Sequence, residues 1–340
     1  MRTERNEIWL MLDSSNVGGI ESHVLELATA LKVAGQPARV VFIADHGPHP
    51  LRRALRTREI PCVVLNGTAR SIYRALRDTR PRLVHTHGYK AGILGRLLGR
   101  LLAVPVVSTF HAGEPGNGRM RLYDALDKLT APLADCIAVS DAIAKWVPTR
   151  CEVHNNFVRL PAVSPGNGAT QVAFVGRLSH EKGADSFCRI ATLLPDLSFA
   201  IYGDGPMRRN LEQEFGERVK FHGMVDDMQS RWRQVGLLCM PSRHEGLPMA
   251  ALEAMAHGVP IAAFAVGGLP RLVRNGEGGW LAEPGDVAAL ARYIRRWSGL
   301  QAPARATLSD RARDTVADRF STKAVLPHLL RVYERAAASA

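Results

Sequence analysis

Short β-branched apolar runs alternate along the chain with longer stretches whose apolar positions recur every three or four residues. That is the order expected of parallel strands joined by crossover helices. In the first half, residues 8–12, 38–43, 83–85, 104–109 and 136–139 read as strands, and 20–34, 50–57, 71–78, 91–102 and 119–134 as helices. The periodicity fails over 160–170, where two prolines and two glycines mark a linker. Beyond it, 172–175, 198–202, 219–221, 237–240 and 260–264 read as strands, and 183–194, 207–215, 226–234, 248–257, 270–274 and 287–297 as helices. A loose polar segment then precedes a last helical stretch, 323–338. This predicts an α/β chain of two doubly wound domains, 1–160 and 171–318, joined by a linker at 161–170. Residues 319–340 form a C-terminal helix placed to cross back to the first domain.

A chain of 340 residues fits two domains of about 150 each. With 46% apolar and 22% charged residues it is neither disordered nor fibrous. No apolar run approaches the roughly 20 residues of a membrane helix, and the first residues carry acids and no signal-peptide core, so the expected location is cytoplasmic. Five cysteines, at 62, 136, 151, 188 and 239, form no CxxC pair and no His/Cys cluster at metal-ligand spacing, which predicts free thiols and no metal.

The net charge of +12 is uneven: residues 1–165 hold 22 Lys/Arg against 14 Asp/Glu, and the remainder 22 against 18. Arginines 52, 53, 56 and 58, and again 70, 74, 77, 80 and 82, are spaced to share helix faces. Such a face is either simply solvated or suited to an anionic membrane surface or an acidic acceptor. No nucleic-acid-binding motif accompanies the basic stretches, so nucleic acid is not an expected partner.

The candidate chemistry sits where strands end. Ser242 to Pro260 begins with Glu245, Gly246, Leu247 and Pro248 ahead of a helix whose open N–H groups suit an anion such as a diphosphate. Glu253 lies within that helix, about 10 Å or more from Glu245 at 1.5 Å per residue. The two acids are too far apart for a retaining-glycosidase pair and suited to gripping different parts of one long ligand through its hydroxyls. After the first strand of the second domain come Gly176, Arg177 and Lys182, a backbone open to phosphate and two cations to neutralise it without metal. Gly203 lies in a sharp turn after the next strand, and the first strand of the chain is followed by Gly18, Gly19 and Glu21. No G-x-G-x-x-G accompanies these glycines, which excludes the dinucleotide fingerprint.

The spacing Glu245-x7-Glu253, with its flanking residues, resembles the retaining family four of nucleotide-sugar glycosyltransferases, over residues 9–316 and most strongly over 172–285. The resemblance implies a GT-B fold, two Rossmann-like domains facing a central cleft, with the acceptor on the N-terminal domain and the donor on the C-terminal one. It implies that Glu245 contacts the donor sugar and Glu253 the ribose, and that Arg177 and Lys182 stabilise the leaving diphosphate. Gly18 and Gly19 face the donor phosphates, Gly176 and Gly203 lie near the nucleotide, and Gly246, Leu247 and Pro248 complete the donor loop. His111 lies at the donor sugar and supports the transition state. His87 is the acceptor-side candidate and His85 a structural strand histidine. The family's asparagine turn is present at Asn155-Asn156, continuing with Phe157 instead of glycine. Asp226-Asp227 reads as a helix cap and not as a metal-binding pair.

The expected activity is metal-independent hexosyl transfer with retention, needing no cofactor. The donor is a nucleotide diphosphate sugar, UDP before GDP. The acceptor is a glycan or lipid-linked saccharide of cell-envelope or exopolysaccharide synthesis, which would make the protein peripheral on the inner membrane face. The alternatives are a nucleotide-sugar epimerase and a non-catalytic nucleotide-sugar-binding protein.

Overall fold

The computed structural model describes residues 6–15, 18–111, 119–162, 168–225 and 227–338, with backbone alone at 119 and 120. The chain forms two compact units, Met1–Asn156 with Thr322–Ala340, and Phe157–Ser321. The divisions fall at 156 and 321, against the expected 160 and 318, and residues 163–167 of the expected linker lie outside the described residues.

The first unit is built on seven strands: β1 (Ile8–Leu12), β2 (Ala38–Phe42), β3 (Cys62–Val64), β4 (Leu83–His87), β5 (Val106–Phe110), β6 (Asp135–Ala138) and β7 (Cys151–Val153). All pair in parallel, in the order β3-β2-β1-β4-β5-β6-β7. The second unit repeats this with β8 (Gln171–Val175), β9 (Phe199–Tyr202), β10 (Val219–Phe221), β11 (Val235–Met240), β12 (Ile261–Phe264), β13 (Arg274–Asn275) and β14 (Gly278–Ala282). Its order is β10-β9-β8-β11-β12-β14-β13, again all parallel.

In each sheet the chain runs outward on one side, returns, and runs outward on the other. The connections after β1 and β4, and after β8 and β11, therefore diverge and leave a crevice at the strands' carboxyl ends, where open α/β sheets bind ligands. Helices cover both faces, so a central strand such as β1 is buried along its whole length and reads as a continuous apolar run. β4 departs from this rule, holding His85, Thr86 and His87 at 1% exposure or less.

Three expectations need correction. In the stretch expected to be a helix at 226–234, residues 227–234 form a turn and a short 3-10 helix, Trp232–Gln234, because Asp227 and Ser230 bond each other's backbone, Oδ1 accepting from N and Oγ donating to O. Asp226 itself lies outside the described residues. The loose segment before the last helix is itself helical, Ala302–Arg319, and buries the single stripe Leu308, Ala312, Val316. The stripe is hard to read in sequence because one of its three residues is an alanine. Strands β3, β7, β13 and β14 were not anticipated, the first three being two or three residues long and the last glycine-rich.

The last helix, Thr322–Ala338, packs in the first unit: Tyr333 Oη bonds His85 Nδ1 over 2.7 Å, and Arg335 donates to Glu152 over 2.6 Å.

Candidate active site

In the second unit, the segments after β8 and β11 are stitched together. Arg243 N donates to Glu181 O over 2.8 Å and Ser242 Oγ reaches Lys182 O over 3.4 Å. The Arg243 guanidinium grips both carboxylate oxygens of Asp185 at 2.8 and 2.7 Å and also donates to His180 O at 2.6 Å. That fork holds the Asp185 carboxyl below its ordinary range. The result is a rigid loop that presents Glu245, whose side chain is only 3% exposed. Its Oε2 accepts from Lys182 Nζ at 2.8 Å and its Oε1 from Ser242 Oγ at 2.8 Å. The Arg177 side chain is exposed, and its charge bears on the nearby Glu181 carboxyl. Of the two cations expected to meet a diphosphate, one is therefore open and the other is shared with a carboxylate.

The helix Met249–Ala256 follows directly, with Pro248 as an extended N-cap that supplies no side-chain bond to the first turn. Its opening N–H groups are thus available to an anion. Most of the helix is buried, while Ala250 and Glu253, three apart on one face, are half-buried. Nearby, the turns after β8 and β9 touch backbone to backbone, and a Cβ on Gly203 would stand 1.9 Å from Gly176 O. Just past the following strand, the His222 ring stacks on Tyr202 at 4.5 Å.

In the first unit, Gly18 is the extended N-cap of helix Gly19–Val33, and Glu21 is buried in its first turn. Asn16 and Val17 of the same loop, and residues 112–118 after His111, lie outside the described residues. His87 ends β4 and His111 follows β5, and His87 Nδ1 meets His111 Nε2 at 3.1 Å. His85 has both ring nitrogens engaged, by Tyr333 and by Thr109 Oγ1 at 2.7 Å each, a tie between strand and helix. His23 comes from the helix Gly19–Val33, with the Asn156 side chain beside it. Burial pushes His23 down to about 4 and pushes His85, His87 and His111 well below the usual imidazole range, with neighbouring histidines adding to the effect. All four are neutral at pH 7.

Residues 17–161 match the model of Glycosyltransferase Family 4 and residues 169–298 that of Glycosyl transferases group 1. A D-inositol 3-phosphate glycosyltransferase of Mycolicibacterium vanbaalenii is 31% identical over 96% of this chain and 87% of its own length. The chain belongs to glycosyltransferase family 4. Another relative of this glycosyltransferase is the 2-deoxystreptamine glucosyltransferase of Streptomyces kanamyceticus, 36% identical over 50% of this chain and 47% of that enzyme. The matched stretch thus spans about half of that relative. Among solved structures, the Anabaena protein HepE in complex with UDP and glucose superposes with a TM-score of 0.82 at 20% identity, over 96% of this chain and 99% of that one. The glycosyltransferase therefore has the GT-B fold.

Within each unit, the residues singled out from the sequence converge. Lys182, Glu245 and the start of the Glu253 helix come together in the second, and His87 and His111 in the first. Asp185 and His23 went unremarked in the sequence, and Ser242 and Arg243, which with Asp185 hold Glu245, were given no role there. Arg243 and Ser242 are adjacent to the acidic motif, but only the fold pairs Arg243 with Asp185.

Proposed function

We propose that this glycosyltransferase moves a hexosyl group from a nucleotide diphosphate sugar, a UDP-sugar before a GDP-sugar, to a glycan or lipid-linked saccharide. The observation that carries this reading is the buried Glu245 held between Lys182 and Ser242 immediately ahead of an uncapped helix start. A carboxylate so placed accepts from sugar hydroxyls. The helix N–H groups, Arg177 and Lys182 take the negative charge that develops on the diphosphate as the glycosidic C–O bond breaks. Glu253 is the ribose-binding acid, and Gly18, Gly19, Gly176 and Gly203 let phosphate oxygens approach the backbone. His111 supports the oxocarbenium-like sugar. No covalent nucleophile is assigned. The acceptor attacks from the face of the departing phosphate, which receives its proton, and configuration is retained. HepE's complex with UDP is in keeping with a uridine donor. The test is thermal unfolding with UDP-, GDP- and ADP-sugars, followed by NMR of the product formed with the donor that stabilises. An inverted product would overturn the mechanism, and no stabilisation by any of the three would overturn the donor assignment.

A membrane-borne acceptor is favoured by one further observation. Leu97 and Leu101 of helix Tyr89–Leu102, and Leu122, Leu126 and Leu129 of helix Arg119–Thr130, are all exposed, from 36% to 74%. Among the described side chains of these two helices, Arg100 and Arg121 are exposed, and the acids Asp124 and Asp127 are buried. An apolar face with a cationic rim suits an anionic lipid surface. No helix among the described residues is long and apolar enough to cross the bilayer. Co-sedimentation with phosphatidylglycerol vesicles, lost on Leu101→Glu with Leu129→Glu, tests it, and binding unchanged by the pair would refute it.

A further inference from the structure

Three histidines from three separate elements of the first unit converge at one point. His23 comes from the helix Gly19–Val33, His87 from the end of β4 and His111 from the end of β5. One ring nitrogen of each lies within 4.8 Å of the other two. The rings of His87 and His111 have their centroids 5.4 and 4.9 Å from that of His23. We propose that His23, His87 and His111 form a binding site for one divalent transition-metal ion, zinc in the first instance.

Zinc bonds to imidazole nitrogen at about 2.0–2.1 Å, which sets neighbouring ligands of a tetrahedral site about 3.3 Å apart. The His87–His111 edge already stands at 3.1 Å. The widest separation, at most 4.8 Å, has to close by about 1.5 Å to reach that spacing, a movement within reach of small side-chain rotations. The donor set decides the class of ion. Three imidazoles with no carboxylate or thiolate suit zinc, copper, nickel or cobalt and not calcium or magnesium, which require oxygen.

The protons also balance. His87 and His111 share one hydrogen bond through nitrogens that each carry a lone pair when deprotonated. A change of tautomer on whichever ring donates, with no net proton lost, turns both lone pairs to the ion. For His87 the other nitrogen, Nε2, is buried with no partner among the described residues and is free to carry that proton. Asn156, whose side chain lies beside His23, is placed to orient that ring from outside the site. Three ligands leave a fourth position for water or a substrate oxygen. The sequence hid the site because H-x-H at the end of β4 supplies only one of the three, His87, while His85 is tied to Tyr333 and Thr109.

If His111 serves the donor sugar as proposed above, an ion on its nitrogen withdraws it, and zinc inhibits transfer. The binding test does not depend on that reading. The full chain, stripped with EDTA and dialysed against zinc alone, is expected to retain one ion per chain. Cobalt alone should give the intense visible bands of tetrahedral nitrogen coordination. His23→Gln should weaken zinc by about 100-fold or more, while His328→Gln, on the exposed face of the last helix, should not change it. No retained zinc, or equal retention by His23→Gln, overturns the site. Should His23→Gln fail to fold, X-ray absorption of the zinc-loaded wild-type chain decides: three imidazoles support the site, and sulfur or fewer than three imidazoles refute it. Zinc bound as expected but without loss of transfer leaves the site standing and counts against the role given to His111.

Discussion

Lys182 Nζ donates to Glu245 Oε2 over 2.8 Å, so the cation expected to meet the donor diphosphate already neutralises the acid expected to meet the donor sugar. The carboxylate is buried and a third of the lysine meets water. Lys182→Ala leaves Glu245 supported by Ser242 alone, with an expected cost of about 1 kcal/mol, kept low by that exposure. Glu245→Gln keeps a hydrogen-bonding group there and should unfold close to wild type while kcat falls about 100-fold or more. Lys182→Met with Glu245→Gln should recover most of the stability lost by Lys182→Ala, because no buried charge is left unpaired. Thermal unfolding and initial rates on the three variants check this. A Lys182→Ala chain that melts with the wild type would show that the pair carries no stability.

Gly267 sets the position of the same acid from behind. It has φ +57°, and a Cβ there would stand 1.9 Å from Glu245 O. A backbone carbonyl cannot rotate away as a side chain does, so Gly267→Ala must displace the loop at Glu245 or strain itself. The expected result is about 1–3 kcal/mol of lost stability and a raised KM for donor. An alanine variant with unchanged melting and kinetics would mean that the loop yields freely.

Gly19 offers the opposite test. A Cβ there meets nothing within 4 Å, and the position opens a helix, where alanine is favoured. Gly19→Ala is expected to fold at least as stably as wild type. If donor phosphate approaches this backbone as proposed, the same methyl group obstructs it, and transfer falls at unchanged melting temperature. Full activity would remove Gly19 from the donor site.

The alternation of strand and helix was legible because parallel α/β chains write it locally. An apolar run such as Ile8–Leu12 names a strand, and the glycines and charged residues after it name the carboxyl end where ligands bind. Gly176, Arg177 and Lys182 are singled out by that rule, and Glu245 by the segment ahead of its helix. What escaped depends on partners distant in sequence. Residues 302–319 are polar enough to look unstructured, and are helical because Ala312 and its two stripe-mates are buried in the second unit. The pairing of Lys182 with Glu245 spans 63 positions and that of Arg243 with Asp185 spans 58, and neither leaves a periodic trace. His23 was not singled out, because nothing in its sequence neighbours says that two strand ends will meet it.

The thiols should divide by burial. Cys62 is exposed, whereas burial pushes Cys136 and Cys188 up to about 12 and Cys151 up to about 11, and raises the fully buried Cys239 as well. Since only the thiolate reacts, a disulfide reagent at about pH 8 is expected to titrate one thiol quickly in the native chain and the other four on unfolding. Cys62→Ser should abolish the fast phase. A fast phase that survives would place another cysteine at the surface.

Buried neutral histidines make the metal-free fold sensitive to mild acid. In the unfolded chain His23 takes a proton near its ordinary 6.5, but in the folded chain only near about 4, because charging it there strips away water. Between those values the unfolded state binds more protons, so stability is constant above about pH 7 and falls as pH drops through 6 and 5. At about pH 5 His23 alone removes on the order of 2 kcal/mol. His85, His87 and His111 act in the same direction, and in the second unit so does His257, pushed to about 4 by burial and by Arg313. Asp185 is held low instead, so its contribution is lost only below the ordinary carboxylate range and lies outside this window. Thermal unfolding of EDTA-treated protein between pH 8 and pH 5 should show a melting temperature level at first and then falling, with a shallower fall in His23→Gln. A level profile down to pH 5, or an unchanged slope in the variant, would mean that His23 gains access to water and charges within the fold.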